Sequence, residues 1–466
     1  MKDISQNIKK VLAIFLILFV ILMSYLLYIY TMKADKIVSS PYNERLWYER
    51  INTERGKILD KNDKVLVESN GIKENNQTLS YKGGAAFAHV LGYMDKSYGL
   101  TGLQRMYDEA LMGKIPGMFN PITSNGNKKG YDVKTSLDYD LQTKAYELLK
   151  GKRGAVVAIE PSTGKVLALV STPSYDPNQL KEQWKSISTQ KDSPLLNRAT
   201  AGLYPPGSSF KIVTATSALN NISGVQNKTF RDTGVLKFND STSIKNYGGE
   251  ALGNVNFKKA IAHSSNVIFA QFGIDLGNSK LKETAEQFMF NKDIPSEGLV
   301  IENSRFPELK EYEKGNLAQS AIGQGSVLST PLQMALVASS VANDGKLMKP
   351  IVVTDIYKNN KSIKNYASEQ ISQPLTKEKS DILKEAMREV VTSGTGKKAN
   401  AAGLNVCGKT GTAEHVESSI DHSWFIGFAP QENPKIALAV LVEEGGTGGS
   451  TSAPIAKTLF KTYLKK

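Results

Sequence analysis

The chain has 466 residues, a formal net charge of +13, four histidines and one cysteine. That length exceeds a single compact core and implies two or three domains. Cys407 alone excludes an internal disulfide and any cysteine-built metal cage, and His89, His263, His415 and His422 lack the spacing of a zinc protease, so no metal is expected. Scattered lysines, with neither finger spacing nor an aromatic RNA-binding pattern, give no nucleic-acid signature; an anionic membrane or wall surface suits the charge equally.

Residues 11–32 form an apolar run of roughly 22 residues, enough to cross a hydrocarbon core as a helix. Lys2, Lys9 and Lys10 precede it against Asp3, and Tyr25, Tyr28 and Tyr30 mark its far end. This pattern predicts a cytoplasmic tail (1–10), an uncleaved anchor and everything after Met32 outside. A cleaved signal peptide is the rival reading, but the run is longer than an ordinary h-region and no A-x-A-like site closes it.

Residues 33–150 read as a pedestal. Ile51 to Asn70 predicts two short strands, entered at Arg55-Gly56 and turned at Asn62-Asp63. Tyr98 to Lys114 predicts a loop and then one amphipathic helix with Leu103, Met106, Tyr107 and Ala110 as its stripe. Pro116 to Gly130 reads as an exposed loop, and a helix closes near Lys150.

Residues 151–466 read as a second unit. Gly154 to Thr172 is a β-hairpin turning at Pro161–Gly164. Proline and glycine at 205–207 then open a helix with Ser208 in its first turn. A mostly helical middle runs from about Gly224 to Val391. Three β runs follow, at 406–415, 421–430 and 435–444, and a helix over 453–464 ends the chain. The expected closure is α+β: one antiparallel five-stranded sheet, in which the Gly154 hairpin pairs with the C-terminal strands, packed by helices beside an all-helical lobe. The Gly445–Gly449 turn has neither a G-K-[ST] ending nor a G-x-G-x-x-G spacing, so it reads as a connection and not a phosphate loop.

Three short motifs carry chemistry. In Ser208-Ser209-Phe210-Lys211, the amine lies three residues from the hydroxyl, on the same helix face. A serine becomes nucleophilic only when a neighbour takes its proton, and a lysine does so only when burial or a second cation lowers its pKa. Lys409 supplies that cation. Ser264-Ser265-Asn266 follows in the helical middle, and Lys409-Thr410-Gly411-Thr412 lies on an expected strand whose glycines admit a ligand to the backbone. Singly each is weak, because capped helices and solvated turns produce the same strings. In this order they form the S-x-x-K, S-x-N, K-T-G signature of penicillin-binding proteins and class A β-lactamases. A Ser-His-Asp triad is disfavoured: Asp421 and His422 are adjacent on a strand and point to opposite faces. Cys407 reads as a small buried residue.

The chain therefore resembles a class B penicillin-binding protein, a peptidoglycan D,D-transpeptidase. Arg55-Gly56 with Asp60, the 99–111 segment, the 204–211 segment, Gly323-Gln324-Gly325 with Thr330-Pro331, and Trp424 to Pro430 all resemble family blocks. Gln104 stands where the pedestal motif usually has Glu, which predicts a weakened ion pair there; Ser265 fills a variable slot, and spacing favours Ser264 as the working serine.

Resemblance and chemistry together imply Ser208 as nucleophile, Lys211 as its base, Ser264 as proton relay, and Asn266 as a donor to substrate that accepts from Lys211. Lys409, Thr410, Gly411 and Thr412 are implied for the substrate carboxylate, with an oxyanion hole from the backbone N–H groups of Ser208 and Thr412. The substrates implied are peptidoglycan stem peptides, with β-lactams as covalent inhibitors, no cofactor, and a SEDS-type glycan polymerase as partner through anchor and pedestal. The alternatives are a β-lactamase or D,D-carboxypeptidase of the same fold, for which no deacylating Glu is placed, and a catalytically silent scaffold.

Overall fold

The computed structural model describes residues 2–33, 44–70, 77–114, 128–239, 242–415 and 418–465. The Lys2–Tyr28 helix continues as a π-helical turn, Ile29–Lys33. Its Ile4–Lys33 stretch has a peak mean hydropathy of 2.8, is exposed on every side, and is long enough to cross a membrane. An all-round apolar surface with none of the described residues packed on it is what lipid would cover.

Ile58–Leu59 and Val65–Ser69 are the two strands expected after Ile51, and they follow a helix, Glu44–Ile51, with no counterpart among the expected elements. Of the loop expected over 116–130, residues 116–127 lie outside the described residues, while Lys128–Lys129 pairs in parallel with Thr53–Glu54. The single helix expected after Tyr98 is two, Gly102–Met106 and Asp108–Leu111, and Met106 is exposed where a core position was expected. The break has a local cause. The Arg55 guanidinium donates to the Gln104 carbonyl at 2.8 Å, taking the acceptor that the Asp108 N–H would use in a continuous helix.

Two sheets organise the rest. The five-stranded antiparallel sheet has the order Val166–Thr172, Gly154–Ile159, Ile436–Val442, Ser418–Ala429, Cys407–His415, so the hairpin does return to the C-terminal strands. Its central strands are buried on both faces, which is why they read as unbroken apolar runs. Ala155, Val157 and Ile159 face the lobe that contains the wholly buried Pro331–Ala342 helix. Val156 and Ala158 face the Tyr139–Leu149 and Ser452–Leu464 helices.

The lobe beside this sheet is not all-helical, and the middle of the chain is less helical than expected. Thr229–Asp232 pairs with Gly253–Asn256, and Val235–Lys237 with Ser243–Lys245. Further on, Val353–Lys358 and Lys361–Asn365 form a hairpin that joins the upstream strand Asp132–Thr135, completing a six-stranded sheet. These strands have three to six residues, too short for period-2 alternation to stand out. The hairpin did carry one signal: Asn359 and Asn360 have φ of 50° and 63°, the two left-handed positions of a type I′ turn.

Candidate active site

Ser208 lies in a 3₁₀ turn, Gly207–Phe210, that runs into the Lys211–Asn221 helix. The turn is held from two sides. Gly207 donates its N–H to the Gly323 carbonyl at 2.9 Å, and Trp424 Nε1 donates to the Pro205 carbonyl at 3.0 Å. Gly207 has φ of +53°, and a Cβ there would sit 2.5 Å from the Thr412 carbonyl oxygen. Only glycine allows the turn to press against the Cys407–His415 strand. Gly411 meets the same constraint from the strand side, since its Cβ would come 2.8 Å from the Pro206 oxygen. The two motifs are thus in backbone contact, with Ser208 half-buried between them.

Lys211 follows with 0% exposure. Its Nζ donates to Asn266 Oδ1 at 2.6 Å and to the Ser264 carbonyl at 2.7 Å, and lies 3.2 Å from Ser264 Oγ. Lys409, also at 0% exposure, donates from the opposite wall to Ser264 Oγ at 2.9 Å and to the Thr410 carbonyl at 3.0 Å. The two amines therefore meet on one hydroxyl. Burial, then the charge of Lys409, drive the Lys211 pKa well below its ordinary value, opposed by Asp232. Burial alone brings Lys409 down to about 7. A neutral amine has two N–H bonds and a lone pair. The two pure acceptors, the Ser264 carbonyl and Asn266 Oδ1, use the N–H bonds of Lys211, and its lone pair is left for a hydroxyl. Among the described residues the Ser208 hydroxyl has no hydrogen-bond partner, so its proton is uncommitted.

The Ser264–Asn266 turn joins two helices, Phe257–Ala262 and Asn266–Gln287. Ser264 has φ of +58°, a left-handed conformation that costs a non-glycine residue about 1–2 kcal/mol. Ser265 is buried and turned away from the lysines; it accepts from the Ile268 N–H at 3.1 Å and donates to Asp232 Oδ2 at 2.5 Å. Of the pair, it is Ser264 whose hydroxyl both lysines reach. Asn266 accepts from Lys211 as expected, but one hydrogen of its amide is already given to the Lys245 carbonyl at 2.7 Å, leaving one for a ligand. On the strand, alternation sets Thr410 and Thr412 on one face and Lys409 on the other. Thr410 Oγ1 lies 2.6 Å from Thr395 Oγ1, and Thr412 Oγ1 accepts from the Gly448 N–H at 3.4 Å.

Sequence reasoning passed over Asp232, Asn246 and Thr395. Asp232 and Asn246 are buried beneath the Ser265–Asn266 turn, and Thr395 sits in a Gly394-Thr395-Gly396 turn whose glycine pair marks a tight loop. His422 is no catalytic base: its Nδ1 accepts from the Glu444 N–H at 3.1 Å, and its ring packs edge-on against Tyr204. Cys407 is buried, with burial pushing its thiol up to about 12.

The penicillin binding protein transpeptidase domain matches residues 154–461, and the penicillin binding protein A dimerisation domain matches residues 55–126. The peptidoglycan D,D-transpeptidase PbpA of Mycolicibacterium smegmatis is 31% identical, over 99% of each chain. The peptidoglycan D,D-transpeptidase MrdA of Acinetobacter baumannii is 33% identical, over 87% of this chain and 69% of that one. Among solved structures, penicillin-binding protein A from M. tuberculosis as a ceftriaxone acyl-enzyme complex has a TM-score of 0.83 at 30% identity, covering 90% of this chain and 100% of that one. The D,D-transpeptidase domain of a peptidoglycan glycosyltransferase from Eggerthella lenta has a TM-score of 0.81 at 30% identity, covering 89% of this chain and 99% of that one. With the transpeptidase match spanning most of its length, the chain belongs to the penicillin-binding protein transpeptidase family.

Proposed function

We propose that Ser208 is the nucleophile through which this protein, a peptidoglycan D,D-transpeptidase, cross-links stem peptides and is acylated by β-lactams. The observation that supports this most strongly is the buried lysine pair meeting on Ser264 beside an uncommitted Ser208 hydroxyl. Ser208 Oγ attacks the carbonyl carbon between the two terminal D-alanines while its proton passes to the Lys211 lone pair. The oxyanion is received by the backbone N–H groups of Ser208 and Thr412, where one such donor is worth about 10²- to 10³-fold in rate. Collapse breaks the C–N bond. The departing D-alanine nitrogen takes a proton through Ser264, whose hydroxyl both donates and accepts. An amine of a second stem peptide then attacks the ester, returns its proton along the same path and releases Ser208. Thr410 and Thr412 hold the donor carboxylate, with Lys409 and Gly411 completing that strand edge, and Asn266 gives its remaining amide hydrogen to the substrate backbone. A β-lactam enters the same first step, but its leaving amine stays tethered, so the ester persists.

In this reading residues 1–10 are the cytoplasmic tail, 11–32 a single-pass anchor, 33–150 the pedestal and 151–466 the transpeptidase unit held outside the membrane; Lys2, Lys9 and Lys10 support that orientation. A SEDS-type polymerase is the partner that anchor and pedestal would meet. The chemical assignment is tested by incubating the full chain in detergent with a fluorescent penicillin and following intact mass over hours. A stable adduct on the Ser208 peptide is expected, absent in Ser208→Ala and nearly absent in Lys211→Ala. Robust labelling of Ser208→Ala would sink the assignment, and rapid loss of label with drug turnover would move it to a hydrolase.

A further inference from the structure

The catalytic turn is anchored from below by a carboxylate that the mechanism above does not use. Asp232 is 1% exposed. Its Oδ1 accepts from the Gly234 N–H at 2.8 Å, and its Oδ2 from the Ser265 hydroxyl at 2.5 Å. Asn246 Nδ2 lies 2.8 Å from Oδ1 and 2.9 Å from Oδ2, and also 2.8 Å from the Glu250 carbonyl. Asn246 Oδ1 in turn accepts the N–H groups of Asn266 and Val267 at 2.8 and 3.2 Å, and Ser265 Oγ accepts that of Ile268. Three successive N–H groups at the start of the Asn266–Gln287 helix are therefore held by two side chains, and both side chains are fastened to Asp232. A carboxylate is the group that helix end favours, because its exposed N–H groups carry partial positive charge.

We propose that Asp232 is the positioning residue of the active site, holding Ser264 and Asn266 against Lys211 through Ser265 and Asn246 and setting the field in which Lys211 works. This rests on Lys211 being the base. Without the anchor, the left-handed Ser264 has no reason to keep a strained conformation, and the two acceptors that orient the Lys211 amine drift with it. The charge matters as well as the bonds. Of the charged groups acting on Lys211, Lys409 from the sheet lowers its proton affinity and Asp232 from the lobe raises it. Asp232 thus keeps the base strong enough to take the serine proton, while Lys409 keeps it free.

The hydrogen-bond pattern allows a reciprocal exchange. In Asp232→Asn alone, a new amide faces the Asn246 amide, donor against donor. In Asp232→Asn/Asn246→Asp, the amide oxygen at 232 keeps the Gly234 N–H and its nitrogen donates to the carboxylate at 246, which accepts the same helix N–H groups; the Ser265 hydroxyl loses its acceptor and the Glu250 carbonyl its donor. Acylation of the full chain by fluorescent penicillin is measured from pH 5 to 9, alongside wild type and Ser208→Ala. Labelled wild type with unlabelled Ser208→Ala establishes the chemical reading independently, so the Asp232 variants test the anchor alone. The single variant is expected to acylate about tenfold more slowly at its plateau, with its acid limb moved down by about one pH unit because a negative charge near the base is gone. The exchanged pair is expected to regain the wild-type acid limb and part of the plateau, about threefold faster than the single variant, since a comparable charge is back while the Ser265 and Glu250 bonds are not. A single variant with wild-type rate and limb overturns the proposal. So does an exchanged pair that is unfolded or no faster than the single variant.

Discussion

In the pedestal, Arg50 and Arg55 are buried around Asp108, each with a nitrogen 2.7 Å from one of its oxygens; in the cleft, Lys211 and Lys409 are buried more completely and hydrogen-bond only neutral acceptors. The contrast follows from what each cation can do. A guanidinium cannot shed its proton at any ordinary pH, so a buried one needs a counter-ion. Desolvation lowers the Arg55 pKa, and Asp108 opposes the fall by charge and hydrogen bond. An ammonium has the other escape: it loses its proton and becomes a base. The same burial that ties the arginines to a carboxylate leaves the cleft lysines with a lowered proton affinity.

Asp108→Ala leaves two guanidiniums buried without a carboxylate. Removing one partner of a buried pair typically costs about 3–5 kcal/mol. The expected outcome is a large fall in thermal unfolding temperature, with wild-type penicillin acylation in whatever fraction stays folded. A variant as stable as wild type would show that the clamp contributes little.

Both clusters are partly legible in the amino-acid sequence. Ser208, Lys211, Ser264, Asn266 and Lys409 stand out because their spacing is the chemistry, and the structure brings them together. The five-stranded sheet is legible because its strands are long, apolar and bounded by turns. Asp232 and Asn246 are not, because a carboxylate that acts by fastening a turn has no fixed spacing from it; here Asp232 and Ser265 are 33 positions apart and only burial joins them. The Val353–Asn365 hairpin escapes notice for a related reason. Its strands are half-exposed, and its partner, Asp132–Thr135, lies far upstream in the pedestal. The weakened ion pair expected from Gln104 also takes a different form: Arg55 Nε donates to Gln104 Oε1 at 2.8 Å while the carboxylate role passes to Asp108, at the start of the next helix.

The cleft side of the comparison is probed by Lys409→Met, which removes a buried amine and keeps most of its volume. The folded pKa of Lys409, about 7, lies below the ordinary value of about 10.4 for an unfolded chain. Between those values the unfolded chain holds a proton that the folded one lacks, so wild-type stability rises with pH across that window, and the burial penalty is complete below it. The methionine variant escapes the penalty. It is expected to be more stable than wild type by about 1–4 kcal/mol at pH 6, by analogy with replaced buried ions. That advantage should shrink steadily towards pH 10, while acylation slows at every pH. Thermal unfolding at pH 6, 8 and 10 reads the trend, and a gap that widens with pH would contradict it.

The smallest expected effect sharpens the pedestal side. Two arginines there share one carboxylate, and Arg50 Nη1 is buried with no hydrogen-bond partner among the described residues. Gln104→Glu would add a second carboxylate where Arg55 Nε already donates, giving two cations and two anions. The gain is a charge-assisted hydrogen bond in place of a neutral one, about 1 kcal/mol after the cost of burying the new charge. The cost is the approach of the new carboxylate to Asp108, since Arg55 bonds both residues and holds the two like charges near each other. The arginines on both sides screen that repulsion, so a small rise in unfolding temperature with unchanged acylation is the expected result. A fall would mean that Asp108 alone satisfies both guanidiniums, and that the glutamine is the better partner because it brings no second charge into the clamp.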